Sequence, residues 1–181
     1  MPEPFNYEEH DGVLAGPVRT PRNSAKHAGA GSIHDDATAQ KLGFRGGTVA
    51  GSLHMEQFPP LFIEAFGDTW LQRGGLSLYF THATTDGEPV RAFVKRPGPS
   101  ERAEGWMLDG SGNRVCYGTA TLGGPDPEST VRRRISTMPE PKDLRILADV
   151  APEAVGEKVA TRVGADRLAQ RLRVITETLP A

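Results

Sequence analysis

The chain has 181 residues, 21 of them Lys or Arg and 23 Asp or Glu, giving a formal net charge of -2. That length fits one compact domain with appendages, and the balanced charge argues against a dedicated nucleic-acid binder, whose affinity needs clustered Lys and Arg. With 37% hydrophobic residues a core can form, while 21 glycines and 15 prolines assign much of the chain to loops.

Residues 1–32 contain Pro2, Pro4, Pro17 and Pro21, with Gly29 and Gly31 near the end, and read as an extended lead-in with room for a short strand or turn. Met1 to His10 is acidic and polar, unlike a secretory signal. No apolar run approaches the ~20 residues that cross a bilayer. From His34 the texture changes. Asp35 and Asp36 can cap a helix over Ala37–Leu42, because a carboxylate there accepts free backbone N–H groups, and Gly43 closes it. Arg45-Gly46-Gly47-Thr48-Val49-Ala50-Gly51 is a small-residue approach to a longer segment, Ser52–Phe66. Phe58, Phe62 and Phe66 stand four apart there, the stripe of a buried helix face. Pro59 and Pro60 interrupt it. A mid-helix proline costs about 3 kcal/mol, so the segment is predicted to be kinked or to split into two helices at the prolines.

The period then shortens. Leu76, Leu78 and Phe80 alternate with polar or aromatic neighbours, Asp86-Gly87 marks a turn, and Val90, Ala92 and Val94 alternate again. Pro97-Gly98-Pro99 ends that strand, and Arg102–Leu108 and Val115–Leu122 flank the turn-rich Asp109-Gly110-Ser111-Gly112-Asn113. A long helix followed by four strands, pairing as an antiparallel meander, defines an α+β domain over residues 1–124. Cys116 is the only cysteine; it forms no intrachain disulfide, suits a reducing cytoplasm, and is expected as a buried strand residue. Pro125, Pro127, Pro139, Pro141 and Pro152 make residues 125–154 a linker or surface arm, with Arg132, Arg133 and Arg134 as a solvated loop patch. In residues 155–181, Lys158–Val163 reads as a strand and Asp166 as the cap of a helix carrying Leu168, Leu172 and Ile175. One strand and one helix cannot bury their own apolar faces, so this extension must dock on the main domain, on another subunit, or on a continuation as the opening of a second repeat.

Ile33-His34-Asp35-Asp36, Ala39, Leu42-Gly43-Phe44-Arg45-Gly46-Gly47, Val49 and Gly51, with Val115–Leu122, resemble the MaoC-like hotdog family over roughly residues 20–124. That family includes the (R)-specific enoyl-CoA hydratases and dehydratases. The resemblance implies a hotdog fold, an antiparallel sheet wrapped around a central helix, in dimers or doubled chains. It also implies an acyl thioester held at the helix start, on CoA or a carrier protein; no metal or other cofactor is expected. Family hydratases carry an aspartate five residues before the catalytic histidine and an asparagine between them. Here His34 matches the histidine, while Gly29 and Gly31 stand at the other two positions. The nearby carboxylate Asp36 is then the candidate partner of His34, able to fold back on the imidazole. Gly51 and Ser52, with Ala50 and Gly47, are the candidate substrate-binding residues, since free N–H groups at a helix start can polarise a thioester carbonyl. Ala50 stands where family hydratases tend to have a histidine.

The expected function is therefore hydration or dehydration at the 2,3-double bond of an acyl thioester. Loss of the aspartate leaves two alternatives: an inactive acyl-thioester-binding or structural subunit, or a thioesterase in which Asp36 or Glu56 activates water. His27 lies seven residues upstream of His34 on a glycine-rich stretch, His54 reads as a partly exposed or packed helix residue, and His10 and His82 lack a supporting constellation. The histidines show no metal-ligand spacing. Neither a phosphate loop nor a serine-hydrolase elbow is present. The expected partners are the thioester and further copies of the chain in a homodimer or higher oligomer, with neither nucleic acid nor membrane.

Overall fold

The computed structural model describes residues 5–25, 31–98, 101–140, 150–151, 153–162 and 164–166. Alternating side chains build six strands: β1 (Glu8–His10), β2 (Val13–Ala15), β3 (Gly74–Phe80), β4 (Val90–Lys95), β5 (Arg102–Asp109) and β6 (Arg114–Leu122). They form one sheet in the order β1-β2-β4-β5-β6-β3, every pairing antiparallel. The lead-in thus contains a hairpin that extends the sheet beside β4. The expected four-strand meander is corrected in one respect. β4, β5 and β6 are consecutive neighbours, but β3 pairs with β6 at the far side. A period-2 pattern identifies a strand without choosing its neighbour. Residues 81–89 are long enough to cross the three strand spacings, roughly 14 Å, that separate β3 from β4.

The helical segment splits where its prolines demand. α1 (Asp36–Lys41) precedes the glycine-rich approach; α2 (Gly51–Met55) and α3 (Pro59–Phe66) follow it. Pro59 and Pro60 occupy the first turn of α3, where an N–H has no helical partner to lose. The stripe then does what its spacing predicts: Phe58 and Phe62 are fully buried with Leu61, and Phe66 packs at the margin. These rings lie against Leu14, Val90, Val94, Ala103 and Met107 on one face of the sheet. Each buried large side chain contributes about 1.5–3 kcal/mol. A short α4 (Trp70–Arg73), which the sequence pattern does not announce, packs Trp70 on Phe62 with ring centroids 4.9 Å apart and leads directly into β3. An antiparallel sheet with α2 and α3 layered on one face fits the expected α+β hotdog fold.

Cys116 is buried in β6, where burial pushes its thiol up to about 12, so it is inert. Part of the expected linker is helical: α5 (Thr130–Thr137) carries the three arginines. Its start is held on the outer sheet face by Ser77 Oγ at 2.8 Å from the Val131 N–H and Thr119 Oγ1 at 3.1 Å from the Thr130 N–H. Arg134 lies 3.4 Å over the Tyr79 ring, so it is a docking residue and not a loop cation. Of the strand expected over Lys158–Val163, residues 158–162 are described; they are exposed and unpaired with the sheet, and so form no strand. The helix expected after Asp166, with Leu168, Leu172 and Ile175, lies outside the described residues, as do Gly29 and His27. Among the described residues, no helix is long and apolar enough to cross a membrane.

Candidate active site

His34 sits two residues before α1, and its neighbours fix it. Asp35 is the N-cap of α1, accepting from the Thr38 backbone N–H and hydroxyl, both at 2.9 Å. Those bonds hold its carboxyl below the usual range, which gives Asp35 a structural task. His34 itself is held at three atoms. Its backbone N–H donates to Ser32 Oγ at 3.2 Å, its carbonyl accepts from Asn23 Nδ2 at 2.9 Å, and its Nδ1 lies 2.7 Å from the Thr48 carbonyl. A carbonyl only accepts, so the proton belongs on Nδ1 and the lone pair on Nε2. The residue is half-buried.

Asp36 lies in the first turn of α1, exposed, and its Oδ1 accepts the Gly47 N–H at 2.7 Å. That bond ties the helix to the glycine approach through one oxygen of the carboxylate that the sequence offers to the imidazole. Gly47 packs so closely that a Cβ there would collide with the His34 carbonyl and come within 3.0 Å of Asn23 Nδ2. Only glycine fits. His34, Asp36 and Gly47 are thus brought together by direct contacts.

Ala50 is the N-cap of α2 and makes no side-chain cap bond; Gly51 and Ser52 are the first helical residues. They follow closely on Thr48, whose carbonyl holds the imidazole. With only five residues, α2 carries little macrodipole, so any polarising effect falls to individual N–H groups. The Gly51 Cα faces Phe80, whose ring would stand 3.1 Å from an added Cβ, so a side chain there would press the ring back by a few tenths of an ångström. Glu56 caps the opposite end of α2, about 7 Å along the helix from Gly51.

Beneath these groups lies the β3–β4 connection, which the sequence marked only as a turn at Asp86-Gly87. The Thr84 carbonyl accepts the Val49 N–H at 2.9 Å, and Thr85 bridges Thr48. Arg45 grips Glu88 with two bonds of 2.6 and 3.0 Å. Burial raises the Glu88 pKa, but the Arg45 guanidinium and Thr85 amide outweigh it and hold the carboxyl below its ordinary range. Asp86 accepts the Asn23 backbone N–H at 2.6 Å. The sequence patterns therefore missed Asn23, Thr48 and residues 84–88. A hydrogen bond between distant positions has no period to detect.

The other histidines differ sharply. His54 is 2% exposed, its Nε2 lies 2.8 Å from Thr84 Oγ1, and burial depresses its pKa to about 4. It is neutral near pH 7. His82 Nε2 lies 3.4 Å from Asp109 and 3.3 Å from the Arg45 guanidinium, and His10 pairs with Asp11 at the surface. Among the described residues, no three His, Cys, Asp or Glu side chains cluster as metal ligands.

Fold and site together define a hotdog domain with a tethered, half-buried histidine beside a glycine-led helix start. No family model and no curated protein matches the chain. Solved structures do. The (R)-hydratase from A. caviae involved in PHA biosynthesis is 20% identical, with 66% of this chain and 96% of that one covered and a TM-score of 0.43. The R-hydratase PhaJ1 from Pseudomonas aeruginosa is 18% identical, covering 68% and 83%, with a TM-score of 0.42. Protein af1124 from Archaeoglobus fulgidus is also 18% identical, covering 67% and 84%, at 0.46.

Proposed function

We propose that this chain is a MaoC-like acyl-thioester hydratase or dehydratase acting at the 2,3-double bond, with His34 as its acid–base group. The observation that carries the reading is the 2.7 Å bond from His34 Nδ1 to the Thr48 carbonyl. It keeps the ring proton on Nδ1 and leaves the Nε2 lone pair free to take one from a reactant.

In hydration, Nε2 removes a proton from water while the water oxygen bonds to C3. The π electrons move toward C2 and the thioester carbonyl, giving an enolate. N–H groups of Gly51 and Ser52, with the Ala50 and Gly47 backbone shaping the approach, bind the developing oxyanion. The imidazolium then returns its proton to C2. One group thus serves both transfers, which suits a chain with Gly29 where family hydratases have aspartate. Asp36 acts through Gly47, holding the loop and leaving the proton to His34. The acyl group arrives on CoA or a carrier protein. A second copy of the chain belongs to the same proposal: among the described residues β3 pairs with β6 alone, and its other edge offers a place for that copy.

The glycine at position 29 also favours one competing reading, a module that binds the thioester without turnover. Incubating the purified protein with crotonyl-CoA and, separately, with butyryl-CoA separates these outcomes. Loss of the enoyl absorbance, reduced about 10²–10⁴-fold in His34→Gln, supports the hydratase. Release of free thiol from butyryl-CoA identifies a thioesterase, and saturable binding without either product identifies a binding module.

A further inference from the structure

Asn23 belongs to the lead-in, yet only 4% of it is exposed. Its side chain is used at both ends: Nδ2 donates to the His34 carbonyl at 2.9 Å, and Oδ1 accepts the Ala25 N–H at 3.1 Å. Its backbone N–H donates to Asp86 Oδ1 at 2.6 Å. Asp86 is held in turn by Arg22, through Nε at 3.1 Å and a second guanidinium nitrogen at 2.8 Å. Around this point the lead-in is laced to the β3–β4 connection. The Gly87 N–H donates to the Pro21 carbonyl at 3.0 Å, and Arg19 exchanges backbone bonds of 2.9 and 2.8 Å with Val90.

His34 is therefore gripped from two sides. Its ring is tied to Thr48, which bridges Thr85, and its carbonyl is tied to Asn23, which hangs on Asp86. Both anchors end in adjacent residues of one connection. A short ring bond needs the Cα that carries the ring to stay still, and a buried amide on the same residue's carbonyl supplies that restraint. Gly47 fills the space beside that amide.

We propose that Asn23, itself set by Asp86, is a positioning residue for His34: it keeps Nδ1–H on the Thr48 carbonyl and Nε2 turned to the reactants. This rests on the acid–base role assigned to His34. The carboxamide is required for its donor. Asn23→Asp keeps the shape but sets an acceptor against the His34 carbonyl, whereas Asp86→Asn keeps an acceptor for the Asn23 N–H.

The test is the ¹⁵N spectrum of labelled histidine in the full chain, which reports the His34 tautomer, together with crotonyl-CoA kinetics. The wild type shows one Nδ1–H tautomer. Asn23→Asp mixes in the Nε2–H form and lowers kcat about tenfold while KM stays within about twofold, the split expected of lost orientation. Asp86→Asn retains the wild-type tautomer. Asn23→Ala, which removes the donor without adding a charge, gives the same mixture if Asn23→Asp does not fold. A folded Asn23 variant with an unchanged tautomer and unchanged kcat overturns the proposal. A tautomer shift in Asn23→Asp, with no turnover by the wild type, upholds the positioning and removes only the hydratase reading.

Discussion

The layer under α3 and the bed under His34 are built by opposite means. The first is apolar: Phe58, Leu61 and Phe62 are sealed against Val94, Ala103 and Met107, and it owes its strength to area removed from water. The second is polar: the Arg45–Glu88 pair, the Asp86–Asn23 bond and the Thr48–Thr85 bridge hold short loops by direction. Hydrogen bonds of this kind each add about 0.5–1.5 kcal/mol net, and up to about 3 kcal/mol where a charged group takes part, less than the buried rings add together, so the bed gives more to position than to stability. Damage to the first should unfold the protein. Damage to the second should misplace one histidine in a protein that stays folded.

The largest effect belongs to the apolar layer. Phe62→Ala should destabilise the chain by about 3–5 kcal/mol, measured by denaturant unfolding. A loss below about 1 kcal/mol would show that the layer is not the main support.

His54 lies between the two regions and ties them to pH. Its folded pKa is about 4 against an ordinary 6.5, so the unfolded chain binds more protons between those values. Stability should be full above about pH 6.5 and fall as pH drops toward 4, by at most about 3 kcal/mol. His54→Leu should flatten that part of the profile; an unchanged slope would move the effect to other groups.

Gly47→Ala strikes the polar bed, because its methyl group meets the His34 carbonyl and Asn23 Nδ2. Overpacking of this kind costs about 1–3 kcal/mol, and turnover should fall by more than the change in unfolding free energy explains. Equal losses would make position 47 structural only. The smallest effect is expected for Asp35→Ala, which deletes the α1 cap and should lower the thermal or denaturant unfolding midpoint slightly; an unchanged midpoint would show that the cap is dispensable.

The same contrast explains what the sequence could show. The phenylalanine stripe, the prolines that open α3, the Asp35 cap and the alternation in β4, β5 and β6 are local patterns, and each is legible from spacing alone. The partner of β3 is not local. Neither is the polar bed, whose bonds join residues 23 with 86, 45 with 88 and 34 with 48. His34 itself could be singled out from the residues around it. Its orientation could not, since Asn23 and Thr48 approach from separate parts of the chain. Asp36 illustrates the limit: nearness in sequence offers it to His34, while the bond of its Oδ1 to the Gly47 N–H is one that no spacing announces. α5 was closer to legible, because Ser129 before Thr130 is an ordinary N-cap signal, and its hydroxyl does accept the Arg132 N–H at 3.4 Å.

The central claim is that His34 Nε2 moves the proton at C2 of a bound acyl thioester. Running the reaction on 3-hydroxybutyryl-CoA in heavy water and following C2 by proton NMR tests it directly. The wild type should exchange one C2 hydrogen for deuterium while His34→Gln, still folded, leaves it in place. Exchange at the same rate in both proteins would contradict the account.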